Sequence, residues 1–532
     1  MTFRYLHFGL EKIHYYKQRD IIRKDTNSFN FEVSLVYGTY VFLILSVICA
    51  VLAFDNSYNT FAIIDPIFAQ TQGNSTVPSN QTLKVISNNQ ERLPSQEGFT
   101  TTLLATNFTA PHNLIYGPDD TLWITERIGE NITRVNPETG EKLSSIPVPN
   151  VLASGGQDGL MGMALDPQFN NTHHIYVAYT YDADPSDELD RLTKITRFTY
   201  DSSNNTMSSP VDLISGLAGS IDHNSGRMTF GPDGKLYYTI GDQGKNQISL
   251  YCSNIEAQHL PTAQQVAAKD WDAYEGKVLR MNPDGSIPED NPVINGVQSH
   301  VYTFGHRNPQ GITVGPTGDL YISEHGDKTD DEINHLQSGG NYGWPYVAGY
   351  KDDKAYQYVN WSAAENCEAL EWDNISPPPT DLPVMDESNF NATNFVPPIQ
   401  TFYTVENGYN FTDPACEGNN YVCWPTVAPS SLRLYNSDTI PGWNGTLLMT
   451  SLKAGKIFHI DLNENGTALE KDPVELFHSE NRYRDVAFSP DGSTIYVITD
   501  SFGPAQAING GGVADDLWNP GSLLMFRYGG ET

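Results

Sequence analysis

His223 and Asp242 stand nineteen residues apart, one just before and one at the end of the apolar pattern GRMTFGPDGKLYYTIGD (226–242). A strand, a turn and a second strand would bring the two side chains together. A carboxylate that accepts from one imidazole nitrogen fixes the tautomer and raises basicity at the other, which is how a general base is made. The residue types alone leave a structural carboxylate–histidine pair equally open.

Other candidates are cationic. Arg307 adjoins Asn308 in YTFGHRNPQG, Arg482 and Arg484 lie two apart in SENRYRDV, and Lys453 sits in TSLKAGKIF. Residues two apart on a strand share a face. The whole chain has 64 acidic against 31 basic side chains, a net charge of −33. Arginines and a lysine concentrated against that background suit a polyanionic ligand, because guanidinium matches carboxylate two bonds at a time. Arg–Asp bridging within the fold would use the same residues. The acid excess argues against nucleic acid, whose phosphates it would repel. The segments ISEHGDKTDDEIN (322–334) and GGNYGWPYVAGYKDD (339–353) offer carboxylates and turn carbonyls of the kind calcium takes, without EF-hand spacing. No Cys-x-x-Cys or His/Cys grouping suggests zinc.

The elements that would position these residues recur. NLIYGPDDTLWITE (113–126), GLMGMALDPQFNNTHHIYVAYT (159–180), GRMTFGPDGKLYYTIGD (226–242), GITVGPTGDLYISEHG (311–326) and DVAFSPDGSTIYVITD (485–500) share one form. Each is a polar turn, an apolar strand, a tight turn and another strand. A weaker copy covers 432–452. Helical periodicity is scarce. Irregular hairpin repeats of this size predict an all-β, six-bladed β-propeller, with long insertions at 243–275 and 351–400 on its functional face.

Ahead of the repeats, residues 33–54 carry no charged side chain and follow a leader (1–32) with Arg4, Lys12, Lys17, Arg19, Arg23 and Lys24. About 20 apolar residues cross a bilayer as a helix, and basic flanks stay cytoplasmic. The expectation is an N-terminal transmembrane anchor, with a cleaved signal as the alternative. A flexible Ser/Asn/Gln/Thr-rich tether (55–95) would follow, then a propeller over 96–532 outside the cell or on the periplasmic side. Twelve Asn-x-Ser/Thr sequons between Asn74 and Asn465 agree with an exported glycoprotein. Cys49 lies in the apolar segment. Cys416 and Cys423 flank EGNNYV and could close a short loop; Cys252 and Cys367 could form a second bridge.

At this point the chain resembles the soluble pyrroloquinoline-quinone (PQQ) dependent glucose dehydrogenases, the quinoprotein aldose dehydrogenase family. The strings that carry the likeness are DHNSGRMTFGPDGKLYYTIGDQGKNQ, EGKVLRMNPDGSIPEDNP, GHRNPQG, DDEIN, GGNYGWPYVAGYKDD, YVCWPTVAPSS, NRYRDV and NPGSL, in the family's order over roughly 100–528. The resemblance implies PQQ across the top of the propeller, with His223 as catalytic base and Asp242 as the acid that orients it. It implies PQQ contacts at Gln157, Arg307, Asn308, Thr426, Lys453, Arg482 and Arg484. It implies a sugar site at Gln247, Tyr421 and Trp424, and a Cys416–Cys423 disulfide. Calcium on the cofactor would be held by the carbonyls of Gly326 and Asp327, where the family's second residue is proline. A structural calcium would lie at Ala348, Tyr350, Asp352 and Glu387.

The implied reaction is oxidation of glucose or another aldose at the anomeric carbon to the lactone. Hydride goes to calcium-bound PQQ, and electrons pass on to a quinone or other external acceptor. The family is often a homodimer, an association that a membrane tether would oppose. Two other readings suit a propeller: a calcium-dependent lactonase, and a non-catalytic extracellular binding module. The first has no need of the Arg482/Arg484/Lys453 group, and the second no need of an intact base pair.

Overall fold

The computed structural model describes residues 92–530, apart from 187, 374, 375 and 510. The basic leader, the 33–54 segment, almost all of the 55–95 tether, Cys49 and the sequons at Asn74, Asn80 and Asn374 lie outside the described residues. Among those described, no helix is long and apolar enough to cross a membrane.

Strand β1 (Phe99–Ala105) stands apart from the hairpin that follows it. The first blade is β2 (Pro111–Tyr116), β3 (Leu122–Glu126), β4 (Asn131–Val135) and β5 (Lys142–Pro147). The second is β6 (Leu160–Leu165), β7 (His174–Asp182), β8 (Arg191–Asp201) and β9 (Thr206–Ala218). The third begins with β10 (Met228–Phe230), β11 (Leu236–Ile240) and β12 (Lys277–Met281). A small hairpin, β13 (Val293–Ile294) and β14 (Val297–Gln298), precedes its outer strand β15 (Val301–Phe304).

The fourth blade begins with β16 (Pro309–Val314), β17 (Leu320–Glu324) and β18 (Asp331–His335). A hairpin of β19 (Tyr358–Val359) and β20 (Val384–Met385) precedes its outer strand β21 (Gln400–Phe402). The fifth is β22 (Pro429–Tyr435), β23 (Thr446–Ser451), β24 (Ile457–Ile460) and β25 (Val474–Leu476). The sixth takes β26 (Tyr483–Phe488), β27 (Thr494–Thr499) and β28 (Leu523–Tyr528), and β1 pairs with β28 to complete it. The protein is an all-β, six-bladed propeller, and every one of the six repeats, the weak copy included, is the inner hairpin of a blade.

Strand alternation explains why the inner hairpins read as near-continuous apolar runs. Successive side chains point to opposite faces of a sheet, and each blade is covered on both faces by its neighbours. In β3, Trp123 packs toward the second blade while Leu122 and Ile124 pack toward the sixth. In β27, Ile495 and Val497 face the fifth blade while Tyr496 and Ile498 face the first. The core is thus a ring of wedges between blades.

At the axis the wedges give way to a polar hub. The fully buried guanidinium of Arg227, at the start of β10, donates to the carbonyls of His112 (3.0 Å), Gln310 (3.1 Å) and Ser430 (2.9 Å) and to Asp485 (2.8 Å). Asp485 also accepts from the Asn113 side-chain amide at 3.1 Å and from the Leu114 backbone N–H at 2.8 Å. Burial pushes Arg227 down to about 10, with Asp485 opposing the shift, so it stays charged at neutral pH. A buried pair with this many satisfied donors links five blades and fixes their relative positions.

Candidate active site

The chemistry-bearing residues collect at one end of the blades. Gln157, His223, Arg307, Asn308 and Thr426 precede or open the innermost strands β6, β10, β16 and β22, and Arg482 and Arg484 open β26. Asp242, Gly326, Asp327 and Lys453 follow the second strands β11, β17 and β23. In antiparallel hairpins the start of one strand and the end of the next lie side by side.

His223 Nδ1 lies 2.7 Å from Asp242 Oδ1, with both side chains buried. Gly241 makes the approach work: a Cβ there would come within 2.1 Å of the His223 carbonyl. The Asp242 carboxylate is itself held, Oδ1 by the backbone N–H of Gly244 (3.0 Å) and Oδ2 by the indole N–H of Trp344 (2.8 Å). An N–H donated from Nδ1 leaves the lone pair at Nε2, which faces Asp222 Oδ1 at 3.8 Å and Gln247 Nε2 at 3.4 Å. Gln157 donates to Asp222, and Arg307 donates to Gln247 at 2.8 Å. Residues from the second, third and fourth blades therefore surround Nε2. Sequence reading missed Asp222 and Trp344; Asp222 adjoins His223 in the chain, whereas Trp344 is 102 residues from its partner.

The cationic group is also assembled. Arg484 donates to Asp500, Arg482 stands 3.9 Å from the same carboxylate, and Arg482 donates to the Pro504 carbonyl at 2.7 Å. Asp500 keeps a depressed pKa because these arginines outweigh the effect of its burial. Lys453 donates to the carbonyls of Tyr421 and Trp424, each at 3.0 Å, and to the Thr426 hydroxyl. Burial pushes Lys453 down to about 7, against the pull of Asp331. Asn308 is fully buried and accepts from Ser225 (3.0 Å) and Gln310 (2.8 Å). Among the described residues, Asn308 Nδ2 and Arg307 Nε have no hydrogen-bond partner. Half-buried His325 joins these groups: its pKa is pushed well down first by desolvation, then by His223 and Arg307, and in smaller part by Arg484.

Asp331, missed in the sequence, joins two loops of the site. It accepts from the backbone N–H groups of Gly326 (2.9 Å), Val427 (2.6 Å) and Ala428 (2.7 Å). Asp327 carries its carboxylate 3.8 Å from Arg307 and 3.6 Å from Lys328.

Beside Gln247 and Trp344 opens a cavity of about 300 Å³, whose walls include Asp327, Tyr358, Trp361, Trp372, Tyr409 and Phe411. Tyr421 and Trp424 do not line it. Trp424 stands edge-on behind Phe411, 6.3 Å between centroids, and donates to the Phe411 carbonyl at 3.1 Å. The segment is closed by a Cys416–Cys423 disulfide, and a second disulfide joins Cys252 to Cys367.

Ala348, Tyr350, Asp352 and Glu387 share one loop cluster. Glu387 accepts backbone N–H bonds from Ala348 (3.0 Å) and Asp352 (3.3 Å), and from Asp353 (2.9 Å). Glu332, which sequence reading passed over, accepts from the Gly349 N–H at 2.6 Å. Burial pushes Glu387 up to about 7 and Asp330 to about 6, and raises Glu332 strongly with Glu324 adding to it. Among the described residues, no three His, Cys, Asp or Glu side chains form a metal cage by themselves.

The chain matches the model of the family described as Glucose / Sorbosone dehydrogenase over residues 108–394 and 400–506. Quinoprotein glucose dehydrogenase B of Acinetobacter calcoaceticus is 49% identical over 438 residues, covering 81% of this chain and 91% of its own length. Aldose sugar dehydrogenase YliI of Escherichia coli is 29% identical over 365 residues, 66% of this chain and 77% of its own. Among solved structures, the soluble aldose sugar dehydrogenase of Escherichia coli in its apo-form superposes with a TM-score of 0.55 at 25% identity, covering 81% of this chain and 99% of that one. The PQQ-bound aldose sugar dehydrogenase of Streptomyces coelicolor has the same fold, with a TM-score of 0.54 at 24% identity over 82% and 99% of the two chains. By sequence and by fold, this chain belongs to the glucose/sorbosone dehydrogenase family.

Proposed function

We propose that the chain is a quinoprotein oxidoreductase that oxidises glucose or another aldose at its anomeric carbon, with PQQ and calcium as cofactors. One observation carries the reading: a His223–Asp242 pair, with Nδ1 on the carboxylate and Nε2 turned toward Gln247, lies beside buried cationic donors. The residues fit a tricarboxylate quinone. Arg307 Nε and Asn308 Nδ2 are buried donors lacking an acceptor among the described residues, and Lys453 faces carbonyls and a hydroxyl. Family membership and the PQQ-bound fold relative agree with this reading.

In the proposed mechanism Gln157, Arg307, Asn308, Thr426, Lys453, Arg482 and Arg484 bind the cofactor's polar groups. Gln247 and Asp222 position the sugar beside His223. Nε2 of His223 takes the proton of the anomeric hydroxyl, and Asp242 stabilises the imidazolium that forms. Trp344 keeps Asp242 oriented. When bound, PQQ supplies the electrophilic carbon that accepts hydride, made more electrophilic by calcium acting as a Lewis acid.

Calcium is assigned to the Gly326 and Asp327 carbonyls at the cofactor. A second calcium is assigned to the loop cluster of Ala348, Tyr350, Asp352 and Glu387, with Glu332 alongside. The buried acids there, whose ionisation is suppressed, and the unpartnered Asp330 Oδ2 among the described residues support that second assignment. The two disulfides support an oxidising, extracellular or periplasmic location, with 33–54 as the anchor or export signal.

The test is direct. Purified protein given PQQ and calcium reduces a redox dye when glucose is added. Absence of sugar-dependent reduction across a panel of aldoses and acceptors rejects the proposal.

A further inference from the structure

Two insertions meet at the rim of the site, and a covalent bond joins them. The segment after β11 contributes Asn246, Gln247, Tyr251, Cys252 and Asn254; the long excursion of the fourth blade contributes Val359, Trp361, Cys367 and Leu370. Asn246 bridges with both ends of its amide, donating to the Val359 carbonyl and accepting from the Trp361 N–H, each at 2.9 Å. The Tyr251 hydroxyl donates to the Leu370 carbonyl at 2.9 Å, and its ring meets Trp361 edge-on at 6.3 Å. Ser362 donates to Asn254 at 2.5 Å. Cys252–Cys367 locks the same contact.

Between these ties the backbone is strained. Asn246 (φ 61°) and Ile248 (φ 46°), on either side of Gln247, are both left-handed. Asparagine tolerates that region, whereas a β-branched isoleucine is a true outlier there. Ile248 is 40% exposed, so its own packing does not hold it. Such conformations persist only where the surroundings over-determine them. The ties at Asn246 and at Cys252, one on each side of the strained turn, are those surroundings. What the turn presents is Gln247, whose amide lies 3.4 Å from His223 Nε2 and accepts from Arg307.

We propose that the Cys252–Cys367 clamp is a positioning device for Gln247: it holds a strained turn against the fourth blade's excursion and so sets affinity for the sugar, not affinity for the cofactor or the proton-transfer step. The proposal rests on the sugar-oxidising reading above. Released from the clamp, the turn relaxes toward ordinary φ values and Gln247 withdraws from the pocket.

The experiment compares the wild type with the double variant Cys252→Ser/Cys367→Ser, both loaded with PQQ and calcium. KM for glucose should rise about 5- to 10-fold, the loss of one hydrogen bond, with kcat within about twofold. The PQQ titration should be unchanged. Amide hydrogen exchange, measured without cofactor, should quicken across 244–254 and stay unaltered at 219–228 and 302–312. Asn246→Gly keeps the left-handed backbone while deleting the bridge, and should shift KM and exchange the same way should the double variant fail to fold. Adding Ile248→Asn to the double variant should recover part of the KM, because asparagine accepts the strained φ. A double variant with lower melting temperature but unchanged KM and unchanged exchange in 244–254 overturns the proposal, and so does loss of PQQ binding. A wild type inactive on all sugars removes the functional reading instead, while the exchange data still judge the clamp.

Discussion

Asp242 is gripped from both sides: one carboxylate oxygen meets the His223 imidazole at 2.7 Å and the other accepts the Trp344 indole N–H at 2.8 Å. The histidine is therefore oriented by a residue that is itself immobilised, which is what a base aimed at one hydroxyl requires.

Replacing the base tests the pair. His223→Gln should keep PQQ and calcium, checked by absorbance and calorimetry, and lose turnover by about 10²–10⁴-fold or more. Asp242→Asn should lose less, since the imidazole remains and only its tautomer and basicity suffer. Near-normal steady-state sugar oxidation by His223→Gln enzyme with full cofactor content would return His223 to a structural role.

Trp344→Phe keeps the ring that faces Arg307 and removes only the donor to Asp242. A buried carboxylate oxygen left without its hydrogen bond costs about 1–3 kcal/mol. The expected result is a lower melting temperature and a fall in kcat smaller than that of Asp242→Asn, read by calorimetry and steady-state kinetics. Unchanged kcat would mean the indole does not orient the pair.

Lys453 gives the cofactor site a pH dependence. Its pKa falls from the ordinary 10.5 to about 7 on folding. Between those values the unfolded chain binds the extra proton, so this residue makes the cofactor-free protein more stable as pH rises through the window. An anionic cofactor binds the charged lysine, so PQQ affinity should be greatest below about pH 7 and weaken above it, by up to about tenfold per unit. Lys453→Arg, which stays charged, should flatten that slope. Equilibrium titrations from pH 6 to 9 at fixed calcium measure it, and a flat wild-type profile would contradict the assignment.

Calcium removal should act twice. Chelation should weaken PQQ binding by calorimetry if the Gly326 and Asp327 carbonyls hold the cofactor's ion. It should also lower the melting temperature of the cofactor-free protein, through the loops carrying Ala348, Asp352 and Glu387. Glu387→Gln should abolish the second effect and spare the first. Equal PQQ affinity with and without chelator would take calcium out of the cofactor site.

The blades were legible in the sequence because each inner hairpin is buried on both faces, which forces apolar strands around a polar turn six times. Arg482 and Arg484 were legible for a similar reason, as a charged pair set two apart in an apolar run. Trp344 and Asp331 were not, because each acts on a partner from another part of the chain and looks locally like an ordinary loop aromatic or turn acid. The hub escaped too: Asp485 sits in the string that drew notice for its arginines, yet it is the carboxylate that receives Arg227. Partners brought together by ring closure leave no periodicity to read. Tyr409 and Phe411 show the same limit: they line the cavity beside Gln247, with Trp424 edge-on to Phe411, and nothing in their local sequence marks them for it.

The pairing of β1 with β28 joins Phe99 to Tyr528 and makes the first strand among the described residues the outer edge of the last blade. That geometry imposes an order on biosynthesis. Five blades can form from local hairpins as the polypeptide emerges, but the sixth must wait for β26 to β28 and then capture a strand synthesised before any of those five blades. Closing so large a loop is slow compared with hairpin formation. Until it happens the edge of β28 presents unpaired backbone groups, the template on which strands of other chains add. The seam between β1 and β28 is where a nascent propeller is most exposed to mispairing.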